Sequence, residues 1–417
     1  SYGITKRLNM NKKVIKTLKK YNQEHVIKFM CTLNNEEIKK IENQILKINF
    51  KKLKKLYYDS KKNKTLNIKP VKSIEKEKLD KNELKILNQY GENIIKKGKY
   101  AVITMAGGQG SRLNHNGPKG TFKLNINGVE KSLFEILIDD LEKTNKKYNI
   151  TLHWYIMTSE ENYNETCSFF KENNYFGYNQ NKITFFKQTE LPLLDLEGKL
   201  LIGNNKLIKF ASDGNGSIFK SLKKSGVLKK IKQNKTKWVF IGSIDNILLK
   251  MSDPTLLGLA IKSNTQIASK TILKSNPEEK VGVFCLNHGH PHVIECSELP
   301  SILAQEKING ELKYGEAHIM CNLFTVKALE KLSKKNLMYH KALKKNSYLN
   351  EYGKEIIPTD NNIYKFETFI FDSFNYFKNI AILRGKREED FAPIKNKDGV
   401  DSPKTALKLY MNYWYKK

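Results

Sequence analysis

Hydrophobic positions along the chain first recur at helical spacing and then gather into short unbroken runs. In residues 1–97 they fall at Val14-Ile15 and Leu18, at Ile38, Ile41 and Ile45-Leu46, and at Leu79, Leu84 and Leu87. Spacings of three and four put such residues on one helix face, and the intervening lysines leave the other face solvated. The pattern predicts a helical, Lys-rich N-terminal subdomain over 1–97, with residues 59–70 as an internal loop. From 98 to 396 the pattern changes. Residues 100–105, 152–157, 183–188 and 238–244 are apolar runs rich in β-branched and aromatic side chains, the signature of buried strands. Between them, 132–146, 161–173, 218–228 and 254–262 predict helices, the first with Leu133, Ile136, Leu137 and Leu141 on one face. This alternation predicts a three-layer α/β domain with a mixed, mostly parallel sheet, whose ligands gather at the strand carboxyl ends. Residues 281–296 read as two strands about a turn at Gly289, and 397–417 as a short C-terminal segment.

Composition narrows the function classes. With 417 residues and 39% hydrophobic content, the chain can fill one large core or two moderate ones. A formal net charge of +31 would ordinarily point to nucleic acid. The kind of base argues otherwise. Only four arginines occur (Arg7, Arg112, Arg384, Arg387), so 70 of the 74 basic residues are lysine. Arginine is the side chain suited to phosphate forks and guanine edges, and a nucleic-acid surface would hold more of it. The lysine excess reads as drift toward A/T-rich codons. No nucleic-acid partner is expected, and a Lys-rich nucleic-acid-binding protein is the remote alternative. Five cysteines (Cys31, Cys167, Cys285, Cys296, Cys321) include no Cys-x-x-Cys pair, as expected of reduced thiols. No apolar run approaches the roughly 18 residues of a membrane span, and the first residues lack a signal-peptide core. The expectation is a soluble cytoplasmic protein with no membrane partner.

Candidate chemistry begins where the run 100–105 ends. Ala106-Gly107-Gly108-Gln109-Gly110-Ser111-Arg112 places three glycines in four positions, and Pro118-Lys119-Gly120 adds a second cation seven residues after Arg112. Glycines let a loop turn sharply and aim backbone N–H groups at an oxyanion, so a strand, this loop and two cations form a polyphosphate cradle. The loop lacks the GxxxxGK[ST] pattern of a P-loop and the acidic residue about 20 positions on that a dinucleotide fold requires. His288, His290 and His292 alternate, yet no carboxylate or cysteine follows at ligand spacing and Pro291 interrupts the ladder. They are expected to form a polar hairpin tip.

The loop and its Pro-Lys resemble the signature of the nucleotide-sugar pyrophosphorylases, Gly-Gly-x-Gly-Thr-x-Leu followed after a spacer by Pro-Lys. Gln109 in the variable slot is similar to the eukaryotic-type UDP-N-acetylhexosamine pyrophosphorylases. Ser111 replaces the usual Thr and keeps its hydroxyl, and Asn114 replaces a Gly. The resemblance runs from about residue 97 to 405 through Gln188 with Leu191-Pro192, Ser212-Asp213-Gly214-Asn215-Gly216 and Ile244-Asp245-Asn246. It continues through Lys365 with Phe369-Ile370-Phe371-Asp372, and closes on Arg387-Glu388-Glu389-Asp390-Phe391-Ala392-Pro393-Ile394-Lys395-Asn396.

What the resemblance implies is specific. The fold would be a Rossmann-like nucleotide-diphospho-sugar transferase. The activity would be a uridylyltransferase that converts UTP and N-acetyl-α-D-glucosamine 1-phosphate to UDP-N-acetylglucosamine and pyrophosphate. Arg112, Lys119 and Lys395 would be catalytic. Met105, Ala106, Gly107, Gly108, Gln188, Gly214, Asp245 and Lys365 would meet the nucleotide. Asn215, Gly282, Glu295, His318, Phe369 and Phe371 would meet the sugar. Asp245 is expected to hold Mg²⁺, with Mn²⁺ as a substitute, since Mg²⁺ prefers one or two carboxylates plus phosphate oxygens and water. The partners would be UTP and a sugar 1-phosphate, and the protein a monomer or weak dimer. Ala317-His318 stands where the family has the Gly-Asn that reads the amino sugar. A histidine keeps a hydrogen-bond donor, so the amino sugar leads, and a UDP-glucose or broad UDP-sugar pyrophosphorylase is the alternative. Twenty-two residues follow Lys395, where relatives carry a further small C-terminal domain.

Overall fold

The unbroken apolar runs become interior strands. The computed structural model describes residues 2–59 and 65–416, so residues 60–64 of the expected 59–70 loop lie outside the described residues. Two compact units emerge, cut differently from the expected 1–97, 98–396 and 397–417. The smaller comprises Ser1–Lys64, Thr189–Gly216 and Leu337–Phe369, and the larger Thr65–Gln188, Ser217–Asn336 and Ile370–Lys417.

In the larger unit, eleven strands share one sheet among the described residues. They are β1 (Ile68–Lys69), β2 (Ile74–Glu75), β3 (Tyr100–Met105), β4 (Trp154–Thr158), β5 (Ile183–Lys187) and β6 (Trp238–Ser243), followed by β7 (Ile267–Leu273), β8 (Val283–Asn287), β9 (His290–Ile294), β10 (Glu316–Thr325) and β11 (Ala381–Arg384). β3 lies between β6 and β4, parallel to both, and β5 continues the parallel run. β10 breaks it, pairing antiparallel with both β6 and β7. β7 then pairs parallel with β11, and β11 with β2. The sheet is therefore mixed, as expected. All six positions of β3 are buried, which is why that run shows no polar alternation. The helix Leu133–Tyr148 starts at Ser132, whose hydroxyl accepts from Glu135 N–H at 3.2 Å.

The apolar positions 79–87 belong to this larger unit. The helix Lys81–Lys96 packs on Pro254–Lys262 so closely that a Cβ on Gly258 would meet Leu87 O at 1.8 Å, and one on Gly91 would meet Pro254 O at 2.1 Å. The C-terminal helix Pro403–Trp414 buries Ala406 and Tyr410 in the same core. In the smaller unit, helices Lys12–Lys20, Glu24–Met30, Asn35–Lys47 and Phe50–Tyr58 bury Val14, Leu18, Ile38, Ile41 and Ile45. Leu194, Leu200, Ile202, Ile208 and Phe366 complete that cluster, so the N-terminal helices form one core with two later segments. Leu46 lies exposed.

Two local expectations are corrected. The helix expected over 218–228 is two, Ile218–Lys224 and Val227–Gln233, separated by Gly226 at φ +82°. Pro291 does not interrupt the ladder: it pairs opposite Leu286 in β9, an edge strand where the missing N–H costs nothing. The turn between β8 and β9 is His288-Gly289, both at positive φ, the geometry of a two-residue hairpin.

Candidate active site

β3, β4, β5 and β6 run parallel, so their carboxyl ends open on one side of the sheet. Met105 ends β3 buried, and Ala106 N–H still donates to Met157 O at 2.7 Å. The chain then leaves the sheet through the glycines. A Cβ on Gly107 would sit 2.9 Å from Gln188 Oε1, and one on Gly110 2.7 Å from the His115 ring. The loop is pinched at its base: Gly110 N–H donates to Gly117 O at 2.9 Å and Lys119 N–H to Gly108 O at 3.0 Å. His115 Nε2 meets Thr121 Oγ1 at 2.8 Å. Buried Asn162 donates its amide to the carbonyls of Ala106 and Gly107 at 3.3 and 3.2 Å. Those carbonyls are thereby satisfied from inside. Gly108 is exposed, and Arg112, exposed at the loop tip, makes no hydrogen bond or ion pair among the described residues. Gln109 Oε1 is buried without a partner among them. Gln188 follows β5, donating its N–H to Thr158 O at 2.7 Å and its side-chain amide to Ser217 Oγ at 3.3 Å.

Asp245 lies two residues past the end of β6. Its Oδ1 accepts from Lys119 Nζ at 2.5 Å, with the two side chains 34% and 13% exposed, so the pair is reachable yet shielded. Lys395 comes to the same place by backbone pairing: Ile394 N–H donates to Asp245 O at 2.9 Å. Lys395 N–H then donates to Asp401 O at 2.7 Å. Lys119 and Asp245 thus meet past the end of one strand, and the segment that carries Lys395 is laid beside them by its backbone. The helix Pro254–Lys262 is capped by Asp253, which accepts from Thr255 N–H at 2.9 Å, so Asp245 carries no capping duty there.

Gly282, Glu295 and His318 also converge. Gly282 and Glu295 lie one residue beyond the Val283–Ile294 pair of the β8–β9 hairpin, and Gly282 O accepts from His318 N–H at 2.9 Å. The His318 ring packs edge-on against Phe284, Phe371 and Phe374, with centroids 5.5–6.1 Å apart. Its Nε2 meets Asn322 Oδ1 at 3.2 Å, an oxygen that also accepts from Ser269 Oγ at 2.9 Å. The proton therefore sits on Nε2. Burial lowers the imidazole pKa to about 4, partly offset by that hydrogen bond, so the ring is neutral near pH 7. This corrects the expectation of a free donor: the donor is engaged by Asn322, and Nδ1 is left as an acceptor. A bulge in β10, with Met320 at φ +57°, sets the ring's position.

Within the smaller unit, the other implied residues form a second set. Gly214, at φ +85°, sits where a Cβ would be 2.1 Å from Thr368 O. Thr368 N–H donates to Asp213 O at 2.7 Å, and Gly216 N–H to Thr368 O at 3.1 Å. The segments carrying Gly214-Asn215 and Lys365–Phe369 are thus laced together. Lys365 pairs with Glu367 at 3.0 Å, and Phe369 packs on His340 at 4.6 Å. Phe369 is half-buried there, and in the larger unit Phe371 is half-buried while Ile370 and Phe374 are core. Asn246 stands in the sequence motif Ile244-Asp245-Asn246 without a role assigned to it, and Asn162, which lies in the expected helix 161–173, carried no signal.

Comparison with known proteins agrees with this geometry. The UTP–glucose-1-phosphate uridylyltransferase family matches residues 47–411. A probable UDP-N-acetylglucosamine pyrophosphorylase of Dictyostelium discoideum is 34% identical over 94% of this chain and 85% of its own length. The UDP-N-acetylglucosamine pyrophosphorylase of Saccharomyces cerevisiae is 36% identical over 78% of this chain and 71% of its own. The inhibitor-bound crystal structure of the Trypanosoma brucei UDP-N-acetylglucosamine pyrophosphorylase superposes with a TM-score of 0.82 at 28% identity, covering 95% of this chain and 84% of that one. A sheet of this order, the glycine loop on β3 and the match across most of its length agree: the chain belongs to the UTP–glucose-1-phosphate uridylyltransferase family.

Proposed function

We propose that the protein joins UTP and N-acetyl-α-D-glucosamine 1-phosphate into UDP-N-acetylglucosamine with release of pyrophosphate. The observation that carries this reading is the meeting of Lys119, Asp245 and the Lys395 segment beside the glycine loop. The names of the relatives supply the substrate class. The attacking phosphate oxygen is already anionic, so no general base is needed. It bonds to the α-phosphorus as the bond to pyrophosphate breaks, and no proton moves. Catalysis then consists of in-line positioning and charge neutralisation. The Gly107–Gly108 backbone and Arg112 receive the triphosphate. Lys119 exchanges its carboxylate partner for phosphate oxygen, and Lys395 aligns the sugar phosphate. Asp245 fits a divalent cation such as Mg²⁺, which takes few carboxylates and completes its shell with phosphate and water. Among the described residues no cluster of three or more His, Cys, Asp or Glu offers a protein-only cage. Such a cation supplies charge neutralisation at the phosphates when bound.

The surroundings of His318 support the amino sugar over glucose. Nδ1 accepts from an acetamido N–H, and half-buried Phe371 gives an acetyl methyl the apolar contact that a hydroxyl does not need, while buried Phe284 and Phe374 pack against the imidazole. Pyrophosphate release from UTP, Mg²⁺ and N-acetylglucosamine 1-phosphate tests the reading. Lys119→Ala should lower kcat on the order of 10²–10³, the usual loss for one charge-stabilising contact. Undiminished turnover would remove Lys119 from the mechanism.

A further inference from the structure

We infer that Asn246 is the positioning residue that holds Lys395 at the reacting end of β6. The inference rests on the uridylyltransferase reading above. Asn246 is 3% exposed, and its side chain makes three hydrogen bonds with a single amide. Nδ2 donates to Asp390 O at 2.7 Å. Oδ1 accepts from Ala392 N–H at 2.9 Å and from Leu248 N–H at 3.0 Å. The backbone repeats the pairing on either side: Ile247 N–H donates to Ala392 O at 3.1 Å and Ile394 N–H to Asp245 O at 2.9 Å. Pro393 bridges antiparallel to Asn246 itself. Residues 390–394 are thus laid against 245–247 like a short strand, and Lys395 is the first residue past the last bond.

Pro393 has no N–H, and the backbone bonds around it run from Ile247 N–H to Ala392 O and from Ile394 N–H to Asp245 O. The Asn246 side chain adds the bonds to Asp390 O and Ala392 N–H on the N-terminal side of the proline. The far face of the segment is also fixed. Asp390 accepts at Oδ1 from buried Lys270 at 3.2 Å and at Oδ2 from Lys386 N–H at 3.0 Å. With its other face anchored there, the segment depends on Asn246 for its fine placement toward Asp245. Only an amide satisfies the site. Aspartate has nearly the same shape but would set a carboxylate oxygen against the Asp390 carbonyl.

The test is a double-mutant cycle on the full chain. Asn246→Asp should raise KM for N-acetylglucosamine 1-phosphate or lower kcat by tenfold or more, the scale of loss from misplacing a reacting group. UTP affinity, measured by calorimetry, should stay within about threefold, a bound the cycle itself calibrates. Added to Lys395→Ala, it should cost little more, because both changes remove the same alignment. Losses that multiply, or a matching fall in UTP affinity, would overturn the inference. Where Asn246→Asp fails to fold, Asn246→Ser enters the same cycle. Hydrogen exchange separates this inference from the function reading. Amides of 390–396 should exchange faster in the variant than in the unsubstituted protein, whether or not that protein turns over UTP. Unchanged exchange there would overturn the clamp, while absent turnover in the unsubstituted protein would overturn the function.

Discussion

At the scale of single residues, the site is a set of side chains whose chemistry is decided by what already holds them. Lys119 and Asp245 neutralise each other at 2.5 Å, so each is placed before substrate arrives and neither must be gathered from solvent. His318 shows the same logic with the opposite sign. Its donor is engaged by Asn322 and its charge is suppressed by burial, leaving an acceptor among three phenyl rings. Replacing it by leucine, which fills similar space without an acceptor, should cut the preference for N-acetylglucosamine 1-phosphate over glucose 1-phosphate by roughly tenfold or more. The ratio of kcat/KM values for the two sugars checks this, and an unchanged ratio would take His318 out of sugar recognition. Residue types were legible from the sequence because phosphate chemistry demands glycine, lysine and a carboxylate in order. The state of His318 was not, because its tautomer depends on Asn322 and Ser269, which no spacing rule connects to it.

At the scale of elements, the sheet was read best where strands are buried on both faces. The runs at 100–105 and 238–243 carry no polar alternation, and both became central strands. β10 escaped notice although it lies between β6 and β7. It carries His318 and Asn322 and bulges at Met320, so it presents neither a continuous apolar run nor a clean alternation. The clamp at Asn246 was equally hidden, since its partners lie 144 and 146 residues away. Helix packing yields its own prediction. Gly258 has no room for a side chain, its Cβ position lying 1.8 Å from Leu87 O, and backbone cannot yield as a flexible side chain would. Gly258→Ala should destabilise by about 1–3 kcal/mol or more, the cost of overpacking. Gly289→Ala, in a hairpin turn where nothing lies within 4 Å, is strained only by its φ of +79°. Thermal melts of the two variants separate crowding from backbone strain, and a Gly258→Ala protein that melts with the parent would contradict the close crossing.

At the scale of the whole molecule, buried titrating groups bias stability toward neutral and higher pH. His318 and His153 are lowered to about 4, chiefly by burial, whereas in the unfolded chain they titrate near about 6.5. Between those values the unfolded chain binds more protons than the folded one, so stability rises with pH across that window. It is complete above about 6.5 and lost progressively toward about 4. Burial, the largest influence, would raise Asp253 and Asp390, but Lys270 together with Lys76 and the Thr255 N–H at Asp253, and with Lys250 and the Lys386 N–H at Asp390, holds both below the ordinary carboxylate range. Their contribution has the same sign and is lost at lower pH still. Asp140, raised by burial, opposes them. The melting temperature should therefore fall between pH 7 and 5, and His153→Gln should flatten that fall. A parent melt that is level across this range would contradict the account. The central claim is tested most directly by pyrophosphate release from UTP and Mg²⁺ with N-acetylglucosamine 1-phosphate and glucose 1-phosphate side by side. The account predicts a strong preference for the amino sugar. Preference for glucose 1-phosphate, or no release with either, would contradict it.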